Sequence, residues 1–209
     1  MNQSLIELHT FPSIAYCQAM TNDLVILEAQ ENYNKRSFRN KYEIVNDKGR
    51  QTLSIPLQKG KHQQLGIREV LISYDENWPD IHQRTLATCY RSSPFFDFYF
   101  DDIQSLLHSN EKYLWKFNFN IIQWLIQTIR LPSSLASSTT FRRPSGKQFD
   151  YRYKYLPKQL LEHKPYPQVF EDRIGFQSNL SILDLLFALG PETLNFLISS
   201  HMSCKLNNG

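Results

Sequence analysis

Glycine is scarce in this chain, seven among 209 residues, and cysteine is scarcer at three. The first shortage fits a second absence: neither GxGxxG nor GxxxxGK[ST] occurs. Those loops need glycine because only a backbone without Cβ lets its N–H groups close on a phosphate. Cys17, Cys89 and Cys204 are odd in number and lack CxxC or metal-ligand spacing, which argues against a disulfide framework and for a reducing, cytoplasmic setting. HExxH, GxSxG and EF-hand loops are also missing, and the six histidines never pair at ligand spacing, so no metal is expected. The start has no basic stretch leading into an apolar one, and no apolar run reaches the roughly 18 residues of a membrane helix, so neither signal peptide nor membrane span is expected. A net charge of +3 is too mild for a dedicated nucleic-acid binder.

What the chain does have is aromatic bulk: 14 Phe, 11 Tyr and 3 Trp. Such side chains suit a large core or a pocket with stacking walls. The length fits a single domain over 1–198 with a frayed tail over 199–209. Leu5 to Leu8, a short helix to Met20 and the strand Asp23 to Glu28 form a βαβ unit, hence a mixed, partly parallel sheet in an α/β fold. Lys41–Val45 and Thr52–Leu57 flank Asn46-Asp47-Lys48-Gly49, a hairpin turn. A polar, basic loop over 58–64 precedes a further strand, Ile67 to Tyr74. Helices follow over Asp80–Tyr90, Asp101–His108 and Glu111–Arg130, and these make up a helical C-terminal half packed on the sheet. Residues 132–148 read as a long loop, either a lid or a disordered connector. Asn179 can cap a helix from Leu180, and Gly190-Pro191 stops it and starts another.

Ligands of open α/β sheets bind beyond the carboxyl ends of the strands, which singles out the segment Glu28 to Lys41. There Glu28 or Glu31 could act as a base or bind an amine, while Lys35, Arg39 and Lys41 could hold phosphate or carboxylate. Tyr33 and Asn40 could orient a substrate; the plainer reading is a solvated loop. On the helix from Trp78, His82 lies one turn from Trp78 and Leu86, with Tyr90 on the same side. That histidine could move a proton near neutral pH, or be a core-edge residue bonded to a carbonyl. A third polar group, Asp150, Arg152, Gln168, Glu171, Asp172 and Arg173, could close over a ligand or fix the last helices by ion pairs.

Several motifs together resemble the WbqC-like family of bacteria. They are Thr10-Phe11-Pro12 with Tyr16; Glu28 with Glu31-Asn32-Tyr33, Lys35 and Ser37-Phe38-Arg39-Asn40-Lys41; Leu53-Ser54-Ile55-Pro56; Trp78 with His82 and Tyr90-Arg91-Ser92-Ser93-Pro94-Phe95-Phe96; and Gln168-Val169-Phe170-Glu171-Asp172-Arg173, Gly175-Phe176 and Asn179 to Leu186. The branch found in Bacteroides-like bacteria is the most similar. Members elsewhere often begin with His-Gln-Pro, where this chain has Glu7-Leu8-His9, so His9, two positions later, inherits no role from that histidine. Lys41 stands where arginine is common.

The resemblance implies a place among genes for O-antigen and other surface polysaccharides, and acyl or aminoacyl (glycine-like) transfer to a nucleotide-linked amino sugar. In that picture Lys35 and Arg39 hold phosphate, His82 takes the amine proton with Glu28 as the second catalytic group, and Tyr33, Asn40, Trp78, Tyr90 and Arg173 bind substrate. No cofactor is specified, and the oligomeric state is left open. The rival is a non-catalytic binding or scaffold protein with an exposed apolar-aromatic patch around Phe95 to Phe100. The first reading requires Arg39 and the Trp78–His82 helix to converge on one cavity.

Overall fold

A computed structural model describes residues 3–58, 65–141, 143, 149–157 and 161–200 of the chain. The basic loop over 59–64, residues 144–148 of the expected loop and the tail over 201–209 lie outside the described residues.

The chain opens with β1 (Gln3–Glu7), α1 (Ile14–Ala19) and β2 (Leu24–Glu28). β1 and β2 pair in parallel, so the expected βαβ unit is present. Ser13 caps α1 by accepting from the Tyr16 N–H, and five of the six α1 residues are buried. Strands β3 (Lys41–Asn46) and β4 (Gly49–Ser54) form the antiparallel hairpin, and Gly49 takes φ +117 at its turn. This hairpin is a separate two-stranded sheet. The expected strand from Ile67 is instead a 3-10 turn over Ile67–Glu69 followed by isolated bridges from Leu71 and Ile72. Ile67, Val70 and Ile72 are all buried, so the apolar pattern that suggested a strand reflects burial without a continuous ladder.

Three helices follow: α2 (Trp78–Tyr90), α3 (Phe96–Leu107) and α4 (Leu114–Ile129). In α4 the stripe Leu114, Phe117, Ile121 and Leu125 is buried, while Trp124 sits half-buried at its edge. Beyond α4 the loop expectation gives way to structure. β5 (Ser134–Ser137) joins β2 in parallel, giving the strand order β1-β2-β5. On the far side of β1, Asp150 forms a parallel bridge with Leu5, fixed by hydrogen bonds between Leu5 and the main chain of Phe149 and Tyr151.

The chain ends in α5 (Glu171–Ile174), α6 (Ile182–Leu189), a 3-10 turn (Gly190–Glu192) and α7 (Thr193–Ser199). Ser181, rather than Asn179, caps α6. Asn179 adopts φ +53 and its side chain accepts from the Ala15 N–H, so it serves the first turn of α1 instead. The Ile14 and Ile182 amides complete the join, bonding the carbonyls of Leu180 and Pro12. Among the described residues, one helical stretch, Ile182–Ser199, has the length and apolarity of a membrane span; 56% of it is buried inside the fold and it breaks at Gly190. A continuous apolar core gathers side chains from Ile6 to Leu197.

Candidate functional site

The last residues of β1 and β2 are Glu7 and Glu28, opposite one another in register at the carboxyl ends of parallel strands. Both are buried, at 0% and 1% exposure. Burying a carboxylate costs several kcal/mol unless hydrogen bonds and opposite charge offset it, and the chain supplies both from a distance. Arg152 donates from Nη1 to Glu28 at 2.8 Å, and from Nε and Nη2 to Asp150 at 3.0 and 2.7 Å. Glu28 also accepts from the Gln30 N–H and from the Ser138 hydroxyl just past β5. Tyr153, at φ +61, turns its N–H onto Glu7 at 3.1 Å.

The loop after β2 closes the group. Arg39, with no exposed surface, grips Glu31 on two nitrogens at 2.8 and 2.6 Å, and its Nη2 lies 3.8 Å from Glu7. Burial opposes its charge, but Glu31 and Glu7 outweigh it, so Arg39 stays a cation. Its position is set from behind, where its carbonyl accepts from Asn118 Nδ2 of α4 at 2.7 Å and from the Thr10 hydroxyl at 2.9 Å. The Tyr153 ring covers the guanidinium at 5.5 Å. Among the described residues, four carboxyl groups (Glu7, Glu28, Glu31, Asp150) thus face two guanidinium groups (Arg39, Arg152). Burial holds Glu31 above the usual carboxylate range despite Arg39; for Glu7 burial pushes the same way, yet His9 and Arg39 prevail and hold it below.

His9 completes the cluster. It is fully buried, 4.8 Å from the Tyr16 ring, and its Nε2 is 3.4 Å from Glu7 Oε1. That is charge-pairing range without hydrogen-bond geometry: among the described residues neither ring nitrogen has a hydrogen-bond partner, and nor has Arg39 Nη1. Burial favours the neutral imidazole and lowers its pKa, against the pull of Glu7. Leaving a buried donor or acceptor unsatisfied costs about 1–3 kcal/mol each. Three such atoms gather at the strand ends.

The structure distributes the sequence-derived residues unevenly. Glu28, Glu31 and Arg39 belong to this cluster. Arg39 is committed to Glu31, which leaves its Nη1 as the one nitrogen free of carboxylate. Tyr33 and Asn40 bond each other at 2.8 Å, and Asn40 also donates to the Ile55 carbonyl, tying the loop to the end of the hairpin. Lys35 and Arg173 are exposed. Trp78, His82, Leu86 and Tyr90 form the expected buried stripe of α2. His82 Nδ1 lies 3.2 Å from the Tyr42 hydroxyl, and burial lowers its pKa to about 4. That contact is the one a core-edge histidine makes in clamping α2 to the hairpin. Among the described residues no hydrogen bond, ion pair or ring contact joins His82 to Arg39. Cys17 and Cys89 are buried thiols with raised pKa, a poor setting for a nucleophile.

Sequence reasoning missed Glu7, His9 and Tyr153. An acidic residue closing an apolar strand was the one available signal for Glu7, since a charge there must be paired. Tyr153 arrives from a segment whose position depends on the whole fold.

The WbqC-like protein family matches residues 9–160, which takes in His9, Glu28, Glu31, Arg39 and Arg152 and leaves out Glu7 and the motifs from Gln168 onward. The uncharacterized protein Rv1507c of Mycobacterium tuberculosis is 24% identical over 211 residues, covering 86% of this chain and 89% of its own length. No solved structure gives a significant match. With nearly three quarters of its length inside that match, the chain belongs to the WbqC-like protein family.

Proposed function

We propose that the chain is a transferase that accepts an amine-bearing small molecule at the carboxyl ends of β1 and β2, joining an acyl or aminoacyl group to a nucleotide-linked amino sugar for surface polysaccharide. The observation that carries the reading is that, among the described residues, the buried cluster sets four carboxyl groups against two guanidinium groups. Glu7, Glu28 and Glu31 face inward with Arg39, and the balance depends on Arg152, which comes from a distant segment already paired to Asp150. A site with an excess of buried carboxylate favours a ligand bearing an ammonium group. The polysaccharide context rests on the family resemblance.

In this reading the bound ammonium first gives a proton to the cluster, the amine nitrogen so freed attacks the acyl carbonyl carbon, the bond to the donor's leaving group breaks, and the nitrogen gives up its second proton, which the departing group can carry away. His9 suits the first transfer better than His82. Among the described residues its ring nitrogens have no hydrogen-bond partner and Glu7 lies 3.4 Å away, whereas the Tyr42 hydroxyl occupies His82 Nδ1. The cluster is covered by Tyr153 and Arg152, so substrate entry requires the 149–157 segment to lift.

Thermal-shift titration tests the substrate class. A nucleotide-linked amino sugar is expected to stabilise the chain, and its N-acetylated counterpart to have little effect. Equal stabilisation by both would remove the amine from the reading. His9→Asn is expected to abolish transfer and His82→Asn to leave its rate largely intact; the opposite pattern would restore the proton role to α2. The scaffold alternative expected an aromatic patch over Phe95 to Phe100, but only Phe98 is well exposed, at 76%, while Phe96 and Tyr99 are buried.

A further inference from the structure

Two tyrosines and a glutamine converge on one carboxyl group in α6. Asp184, 3% exposed, accepts from the Tyr90 hydroxyl at 2.8 Å, the Tyr166 hydroxyl at 2.6 Å and Gln168 Nε2 at 3.0 Å. A carboxylate offers about four acceptor positions; three are filled here, all by neutral groups. Among the described residues Asp184 has no ion-pair partner. Arg50 acts on it electrostatically, but that guanidinium is held by Glu43 at 3.1 Å and by the Ser178 carbonyl.

Asp184 also lines a cavity of about 320 Å³. Tyr90 and Gln168 stand beside it, Ser92 and Ser93 add hydroxyls, and Pro94 and Val169 give apolar wall. This volume lies at the small end of pockets that take metabolites, roughly 300–1,000 Å³. Two sequence motifs with no part in the cluster at the strand ends, Tyr90 to Pro94 and Gln168 to Val169, meet in this cavity.

We propose that the cavity is a second binding site, for a primary ammonium group on a short carbon skeleton, with Asp184 as its counter-ion. Desolvation of the carboxylate is already offset in part by the three neutral donors, and the ligand supplies the opposite charge that the described residues do not. An ammonium carries three donors, enough for the remaining position on Asp184 and for the serine hydroxyls, while its carbons lie against Pro94 and Val169. Tyr90 is held for this task by its second hydrogen bond, from the Val45 N–H at 3.1 Å. The residues involved are separate from Glu7, Glu28, Glu31 and Arg39, so the site stands independently of the transferase reading.

Amide NMR of the intact chain, titrated with ethanolamine and with its uncharged analogue ethylene glycol, tests the site. Ethanolamine is expected to give saturable shifts at Ser92, Ser93 and Val169, and ethylene glycol none. Asp184→Asn is expected to weaken ethanolamine binding about tenfold or more, in keeping with loss of a charge-assisted contact. Ser92→Trp, a change at an exposed position on the cavity rim, is expected to block binding while leaving Asp184 and its tyrosines in place. It decides the matter alone should Asp184→Asn fail to fold. Equal response to both compounds, no saturable shift, or binding unchanged in Ser92→Trp would overturn the proposal. Shifts confined to Glu7 and Glu28 would overturn it too, while leaving the strand-end site standing.

Discussion

A guanidinium with no exposed surface keeps its charge only because Glu31 holds it on two nitrogens and Glu7 lies close by. Arg39→Ala would leave those carboxylates buried without their cation, and breaking a buried pair in this way costs about 3–5 kcal/mol. Urea unfolding is expected to show a loss of that order. Arg39→Lys should recover part of it, since lysine restores the charge without the forked grip; full recovery would mean that the two-pronged geometry contributes nothing. The sequence made Glu28, Glu31 and Arg39 visible because they crowd one short segment after a strand. It could not show that Arg39 is spent on Glu31, because a loop's charges look alike whether they point outward or fold back on each other. His82 illustrates the same limit. Its place on the α2 stripe follows from helical spacing, but Tyr42, whose hydroxyl occupies its Nδ1, comes from a hairpin strand forty residues earlier.

Among the elements, those with strong local signals were legible: the βαβ start, the hairpin around its glycine turn, the three central helices and the break at Gly190. β5 was not. Its four residues, Ser-Leu-Ala-Ser, have no pattern of their own, and their pairing with β2 is what makes them a strand. Gly190 carries the sharpest prediction at this scale. Its φ is +52, and a Cβ added there would fall 2.5 Å from the Phe95 ring. Gly190→Ala combines a strained backbone, about 1–3 kcal/mol, with a clash against packed aromatic carbon. A clear drop in melting temperature is expected, with partial rescue when Phe95→Leu is added. Full additivity of the two changes would show that the close approach is not what selects glycine.

The whole molecule sums its titrating groups in its response to acid. An unfolded chain protonates His82 near pH 6.5 and the folded one only near pH 4. The histidine's contribution is therefore complete above about pH 6.5 and is lost as pH falls toward 4. A difference of that size is worth about 3 kcal/mol. His9 and His163, whose pKa values burial also lowers, act in the same direction, whereas Asp184 and Glu31, held high by burial, oppose it. Urea midpoints are expected to fall between pH 6.5 and 4.5, with a shallower slope in His82→Asn; an unchanged slope would mean that His82 is solvated. Arg152 meets Glu28 across 124 residues, and Leu5 takes its outer neighbour from Asp150. A nascent chain that has emerged only as far as α4 therefore lacks both flanking partners of the β1–β2 pair, and its two terminal glutamates have no arginine from the later segment. The sheet must wait for residue 152 to emerge from the ribosome, and ribosome-held chains that still keep it inside should be cleaved by protease within β1 and β2 where chains long enough to expose it resist.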